Sequence, residues 1–180
     1  MKKKALITGI NGQDGAYLSE LLLNKNYDVY GVLRRGATEK TERLDILGIT
    51  SRVNFIDSDL LEISNLQNII RDLNPQEIYN LAAQSFVPTS FSLPILTSDI
   101  NAMGCLRILD SIKNINKNIR FYQASTSEMF GKVTEVPQTE NTRFYPRSPY
   151  GVSKVFAHYM TMNYREAYEM YACSGILFNH

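Results

Sequence analysis

The chain has no tryptophan, only two cysteines and two histidines among its 180 residues, and a formal net charge of +1. Cys105 and Cys173 each fall inside an apolar-periodic stretch and read as small core residues. No His, Cys or carboxylate cluster has ligand spacing, so no metal is expected. The nearly balanced charge argues against a nucleic-acid partner and against an anionic membrane surface. No apolar run is long enough to span a bilayer, and Asn11, Gln13 and Asp14 break any secretory core after Lys2-Lys3-Lys4. These exclusions leave a cytoplasmic protein whose 44% hydrophobic content suffices for one buried core.

What is present alternates between short β-rich runs and longer helical patterns, the mark of βαβ units and a parallel sheet. Strands are expected at Ala5-Leu6-Ile7-Thr8, Asp28 to Leu33, Val53 to Ile56, Glu77 to Leu81, Arg120 to Ala124 and Ser174 to Phe178. Helices are expected near 14–25, 62–73, 96–115 and 149–171. The first should bury Leu18, Leu21 and Leu22 on one face and end at Asn26 in a left-handed cap. Together these predict an α/β fold, a Rossmann-type doubly wound parallel sheet that binds its ligand outside the carboxyl ends of the strands.

The first strand runs into Thr8-Gly9-Ile10-Asn11-Gly12-Gln13-Asp14-Gly15 and then a helix. Gly9 permits the tight turn, Gly12 lets the backbone approach a pyrophosphate, and Gly15 lets helix and strand pack closely. Free N–H groups at the helix start then bind phosphate oxygens. NAD sites commonly place a carboxylate near the end of the second strand, on the ribose 2′-hydroxyl. Here that strand ends in Arg34-Arg35, whose forked, charge-assisted hydrogen bonds suit a 2′-phosphate, so NADP is favoured. Exposed surface arginines are the plain alternative. Asp59 is placed to bind an adenine edge, and Asp57 to serve as a turn acceptor.

Tyr150 and Lys154 lie four residues apart, hence on one helix face. A free phenol, with a pKa of roughly 10, is a poor base near neutrality, and a nearby ammonium would stabilise its phenolate. Ser125-Thr126-Ser127-Glu128 follows the fifth strand, where such a sheet binds ligand, and Thr126 can hydrogen-bond a sugar 4-hydroxyl. The small side chains of Ala82 and Ala83, after Asn80-Leu81, let a flat cofactor lie close to the backbone. His158 is read as structural. Tyr159, Met160, Met162 and Tyr164 are read as core or subunit contact.

Four stretches resemble the extended short-chain dehydrogenases: the Gly9–Gly15 loop, Asn80-Leu81-Ala82-Ala83-Gln84-Ser85, Phe121 to Glu128 and Phe144 to Gly151. The last two, with Gly175-Ile176-Leu177-Phe178-Asn179-His180, resemble the GDP-mannose 4,6-dehydratase family specifically. The resemblance implies catalytic roles for Thr126, Glu128, Tyr150 and Lys154. It implies NADP contacts from Gly9, Asn11, Gly12, Gln13, Asp14, Gly15, Arg35, Asp59, Leu60, Leu81, Ala82, Ala83, Gln84, Ser85, Lys154 and His180, with Tyr150 beside them. The sequence departs from the family pattern at Gly36-Ala37-Thr38, at Phe86 and at Leu96.

The activity implied is a lyase reaction. GDP-mannose becomes GDP-4-keto-6-deoxymannose by internal hydride transfer from C4 to C6 with loss of water. Tyr150 takes the 4-hydroxyl proton and Glu128 the C5 proton. A homo-oligomer, dimer or tetramer, is implied by the resemblance alone. Because the match covers only the amino-terminal half of the family's usual length, residues 1–180 are expected to be a truncated NADP-binding domain. The carboxy-terminal substrate domain is expected to be absent and the chain inactive alone. The alternatives are a nucleotide-sugar epimerase or reductase, or a non-catalytic NADP-binding fragment.

Overall fold

The computed structural model describes residues 2–34, 36 and 41–180. Arg35, with Ala37 and Thr38, lies outside the described residues. Six parallel strands form one sheet in the order β3-β2-β1-β4-β5-β6. They are β1 (Lys4–Thr8), β2 (Asp28–Leu33), β3 (Asn54–Asp57), β4 (Glu77–Asn80), β5 (Arg120–Thr126) and β6 (Ala172–Leu177). The order reverses direction between β1 and β4, so the crevice for a ligand opens above their carboxyl ends.

The central strand β1 alternates its side chains between two cores. Leu6 joins one with Leu66, Ile70, Ile108 and Ile112 from helices α3 (Ile63–Leu73) and α6 (Gly104–Ile115). Ala5 and Ile7 join the other, with Ala16 and Leu22 of α1 (Gln13–Asn24) and Leu44 of α2 (Glu42–Ile46). Both faces of the sheet are therefore covered, which is why Ala5, Leu6 and Ile7 form an unbroken apolar run before Thr8.

The α1 stripe differs from the expected one. Ala16, Ser19 and Leu22 are buried, whereas Leu21 is 51% exposed. The close approach at Gly15 turns the helix so that the small residues face the sheet. Its end is as expected. Asn26 is left-handed at φ 63°, and the N–H groups of Tyr27 and Asn26 close on the carbonyls of Leu22 and Leu23.

The helix expected near 96–115 is broken into pieces. After α4 (Val87–Ser92) and α5 (Pro94–Ser98), one π turn at Asp99–Met103 leads into α6. Pro94 separates α4, which lies ahead of the expected helix, from α5, because it cannot continue the hydrogen-bond ladder of α4. Strand β5 runs two residues beyond expectation, pairing Ser125 and Thr126 with Ile176 and Leu177. Thr126 is thus the last strand residue and not part of a free loop. The long helix α7 (Pro149–Tyr168) starts cleanly, with Ser148 accepting from the Gly151 N–H at 3.0 Å and Pro149 in the first turn. On α7, Tyr164 is buried and Met160 packs on the core, while Tyr159 stays 53% exposed.

Candidate active site

The glycine loop is built by three backbone segments in contact. Gly9 has φ +72°, and a Cβ there would lie 2.7 Å from the Ala82 nitrogen. A Cβ on Gly15 would meet the Gly9 carbonyl oxygen and lie 2.6 Å from the Ile10 Cα. At Gly12 a Cβ would meet only the Gly9 oxygen, at 3.2 Å, so its outer face is open. Among the described residues, no side chain caps the start of α1. The first-turn donors therefore point toward the crevice uncommitted to a capping group.

Gly15→Ala in the full-length protein should cost about 1–3 kcal/mol, because the contacts are backbone and cannot swing aside. Urea unfolding measures this, and an unchanged midpoint would contradict it.

His180 comes back to this loop. Its Nε2 lies 3.0 Å from Asp14 Oδ1, and Gln13 Nε2 donates to its carbonyl at 3.1 Å. The hydrogen bond to the Phe178 carbonyl, then Asp14, raises the imidazole above its usual pKa. Arg34 is exposed at the end of β2. A cation that sequence reasoning missed, Arg43 of α2, donates to the Asn11 carbonyl at 3.3 Å.

On the β4 side, Leu81 N–H bonds the Thr8 carbonyl and Ala82 N–H the Thr8 Oγ1. Gln84 is gripped by Asn101, which accepts from its N–H at 2.9 Å and donates to its carbonyl at 3.1 Å. Asn101 also donates to Ser153 Oγ on α7. It sits in the π turn, a device that often re-aims a side chain at functional sites. Nothing in a single polar position of a helix would have flagged it. Ser85 is exposed beyond Gln84. Asp59 accepts from the Leu61 N–H at 3.0 Å, and the Leu60 side chain is buried against Gly104.

The four expected catalytic residues gather where β5 ends. Thr126 Oγ1 accepts the Glu128 N–H at 3.2 Å, which leaves the hydroxyl hydrogen free to be donated. The Thr126 side chain acts on the Tyr150 phenol, favouring its ionised form. Tyr150 and Lys154 are buried in the first turns of α7, with Lys154 Nζ 5.8 Å from the phenol ring centre. Glu128 is exposed at the mouth of the site, yet its charge still acts on the phenol. A Cβ on Gly151 would stand 2.9 Å from the Glu128 carbonyl, which shows how closely α7 packs on this turn.

One expectation is corrected. The phenol lies above its ordinary pKa, not below it. Burial is the main cause, Thr126 opposes it, and Glu128 adds to it. The ammonium donates to the Ala124 carbonyl at 2.9 Å. Burial itself lowers Lys154 to about 8, against a small opposing pull from Cys105. His158 holds Ser125 Oγ at 3.0 Å and packs edge-on against Phe144, a structural role.

A Rossmann-type sheet with a glycine loop after β1, and a Tyr-x-x-x-Lys helix against β5, defines the short-chain dehydrogenase/reductase class. A family model described as GDP-mannose 4,6 dehydratase matches residues 6–180, and the chain belongs to that family. It is 51% identical to the GDP-mannose 4,6-dehydratase of Vibrio cholerae, with 100% of the chain and 50% of that protein aligned. Against the human GDP-mannose 4,6 dehydratase the identity is 48%, over 98% of the chain and 50% of the relative. The chain thus spans about half the length of the curated relatives it matches.

Among solved structures, UDP-glucose 4-epimerase from Brucella ovis in complex with NAD superposes with a TM-score of 0.83 at 21% identity. That match covers 98% of the chain and 51% of the epimerase. DesIV, a dTDP-glucose 4,6-dehydratase from Streptomyces venezuelae with NAD and TYD bound, gives 0.81 at 22%, over 93% and 53%. These two agree in fold.

Proposed function

We propose that this chain is the cofactor-binding part of a cytoplasmic GDP-mannose 4,6-dehydratase that uses NADP and yields GDP-4-keto-6-deoxymannose. The observation that carries the reading is the meeting of Thr126, Tyr150 and Glu128 at the end of β5, with Lys154 one turn along α7. The same sheet edge bears the uncapped α1 start with the open face of Gly12, a cradle that fits a dinucleotide pyrophosphate. Gly9, Gly12 and Gly15 with the first-turn N–H groups would hold it. Ala82 and Ala83 would lie along its flat ring, with Gln84, Ser85 and His180 bordering it.

Bound there, NADP would supply the two-electron acceptor for sugar C4 and the donor for C6. Thr126 donates to the sugar 4-oxygen, and Tyr150 takes the 4-hydroxyl proton as the ketone forms. That ketone acidifies the C5 hydrogen, which Glu128 removes. Glu128 lies exposed at the mouth, where a sugar would approach. The 6-hydroxyl leaves as water, carrying the proton that Glu128 took from C5, and C5 gains a proton from solvent as hydride arrives at C6. A simple 4-epimerase needs no carboxylate at this point, so Glu128 favours dehydration.

Incubating the full-length protein with GDP-mannose and NADP tests the reading by mass spectrometry. A product lighter by one water is expected, whereas an epimer or unchanged sugar would overturn it. For the cofactor choice, Arg35→Glu should weaken NADP at least tenfold more than NAD, since a carboxylate repels the 2′-phosphate. Calorimetric titration with both dinucleotides reads this, and equal losses would refute it. Self-association as a dimer or tetramer would use the exposed outer side of α7, where Val152, Phe156 and Tyr159 lie. Light scattering on the purified protein distinguishes it from a monomer.

A further inference from the structure

The three central strands carry buried polar side chains that neither the core nor the chemistry above accounts for. Thr8, Asn80 and Gln123 are each 1% exposed and occupy β1, β4 and β5. They form one continuous chain of hydrogen bonds. Ala82 N–H donates to Thr8 Oγ1 at 3.2 Å, and the Thr8 hydroxyl donates to Asn80 Oδ1 at 2.6 Å. Asn80 Nδ2 donates to Gln123 Oε1 at 2.7 Å, and Gln123 Nε2 donates to the Ala124 carbonyl at 2.9 Å. That same carbonyl accepts Lys154 Nζ, also at 2.9 Å.

The direction of this chain is dictated from its carbonyl end, and the Thr8 hydroxyl, accepting from the Ala82 N–H, donates to the one oxygen Asn80 has left to offer. A carbonyl can only accept, so Gln123 must present its NH₂ to Ala124. Each amide therefore has one permitted orientation, and flipping either would set two acceptors or two donors against each other. The carbonyl at its end is special for a simple reason. The β4–β5 ladder stops at Asn80 paired with Gln123, so Ala124 lies past the last pair on that side. Two side chains satisfy its carbonyl there instead.

We propose that Thr8, Asn80 and Gln123 are positioning residues, whose one-way relay fixes the Ala124 carbonyl and, through it, the Lys154 ammonium. The proposal rests on Lys154 having the catalytic role given above. The relay joins the Ala82 segment to the lysine without using any charged group. The titratable side chains close to the amine are Tyr150 on its own helix and Cys105 on α6. An amide at position 123 therefore holds the carbonyl in place and adds no negative charge beside the lysine.

The test reads the amine directly and does not depend on turnover. Lys154 in the full-length protein is labelled at pH 8 with trace acetic anhydride, and its peptide is quantified by mass spectrometry. Gln123→Glu keeps the shape but places a carboxylate beside the amine. This should hold the lysine protonated and slow labelling on the order of tenfold. Gln123→Met cuts the relay without charge, and the loosened amine should label about threefold faster. The glutamate arm reads only that position 123 stands beside the amine, and the methionine arm decides the relay: an unchanged or slower rate in Gln123→Met overturns the proposal. If the glutamate variant does not fold, Gln123→Met alone decides, with an unchanged rate counting against the relay. GDP-mannose turnover by the wild-type protein judges the dehydratase reading separately.

Discussion

Tyr150→Phe should lower kcat by roughly 10²–10⁴-fold, the usual worth of a positioned proton-transfer group. The ring is buried in the first turn of α7 beside the Ser148 cap, and phenylalanine fills the same volume. Only the hydroxyl is lost, so unfolding midpoint and cofactor affinity should change little. Thr126 keeps its backbone anchor at the Glu128 N–H and can still donate to the sugar oxygen. Some substrate binding should therefore survive while proton removal fails. Steady-state turnover with GDP-mannose, alongside calorimetric NADP binding, measures both quantities. A kcat within tenfold of wild type would take the phenol out of the chemistry.

Glu128→Gln is expected to stop dehydration by a similar factor, roughly 10²–10⁴-fold, at almost no cost in stability. The side chain is exposed, and the turn that carries it is anchored through its backbone N–H. Two readouts separate loss of the base from general damage. Incorporation of solvent deuterium at sugar C5 should vanish, because no carboxylate remains to take that proton. The Tyr150 phenol should titrate at lower pH, because the negative charge that raises it has gone. A variant that still exchanges C5 hydrogen would assign the base to another residue.

The βαβ rhythm makes the sheet legible, because each strand's alternation and each helix's apolar stripe are local signals. The glycine loop is equally readable, since its positions are forced by backbone contact at Gly9 and Gly15. What escapes are features decided by tertiary contact. The stripe on α1 departs from its leucine spacing at Leu21, because the close packing at Gly15 sets the helix rotation. The π turn around Asn101 looks like part of one long helix, as the apolar spacing continues through it. Thr8, Asn80 and Gln123 resemble ordinary strand-end polar residues until three strands bring them into line. Within the candidate site, spacing puts Tyr150 and Lys154 on one face, but the acceptor chosen by the ammonium depends on where the β4–β5 ladder stops.

The triple approach of Gly9, Ala82 and Gly15 also bears on how this molecule can drift over generations. Any replacement of glycine by another of the genetically encoded amino acids adds at least one carbon. At residues 9 and 15 that carbon has nowhere to go but into main chain. Neither position has room for a side chain without a cost in stability, so substitutions accumulating elsewhere should mostly flow around this corner. Variant libraries of the protein should show these two positions nearly empty of survivors, while Gly48, with nothing near its missing side chain but a left-handed backbone at φ +65°, yields a thin but detectable crop.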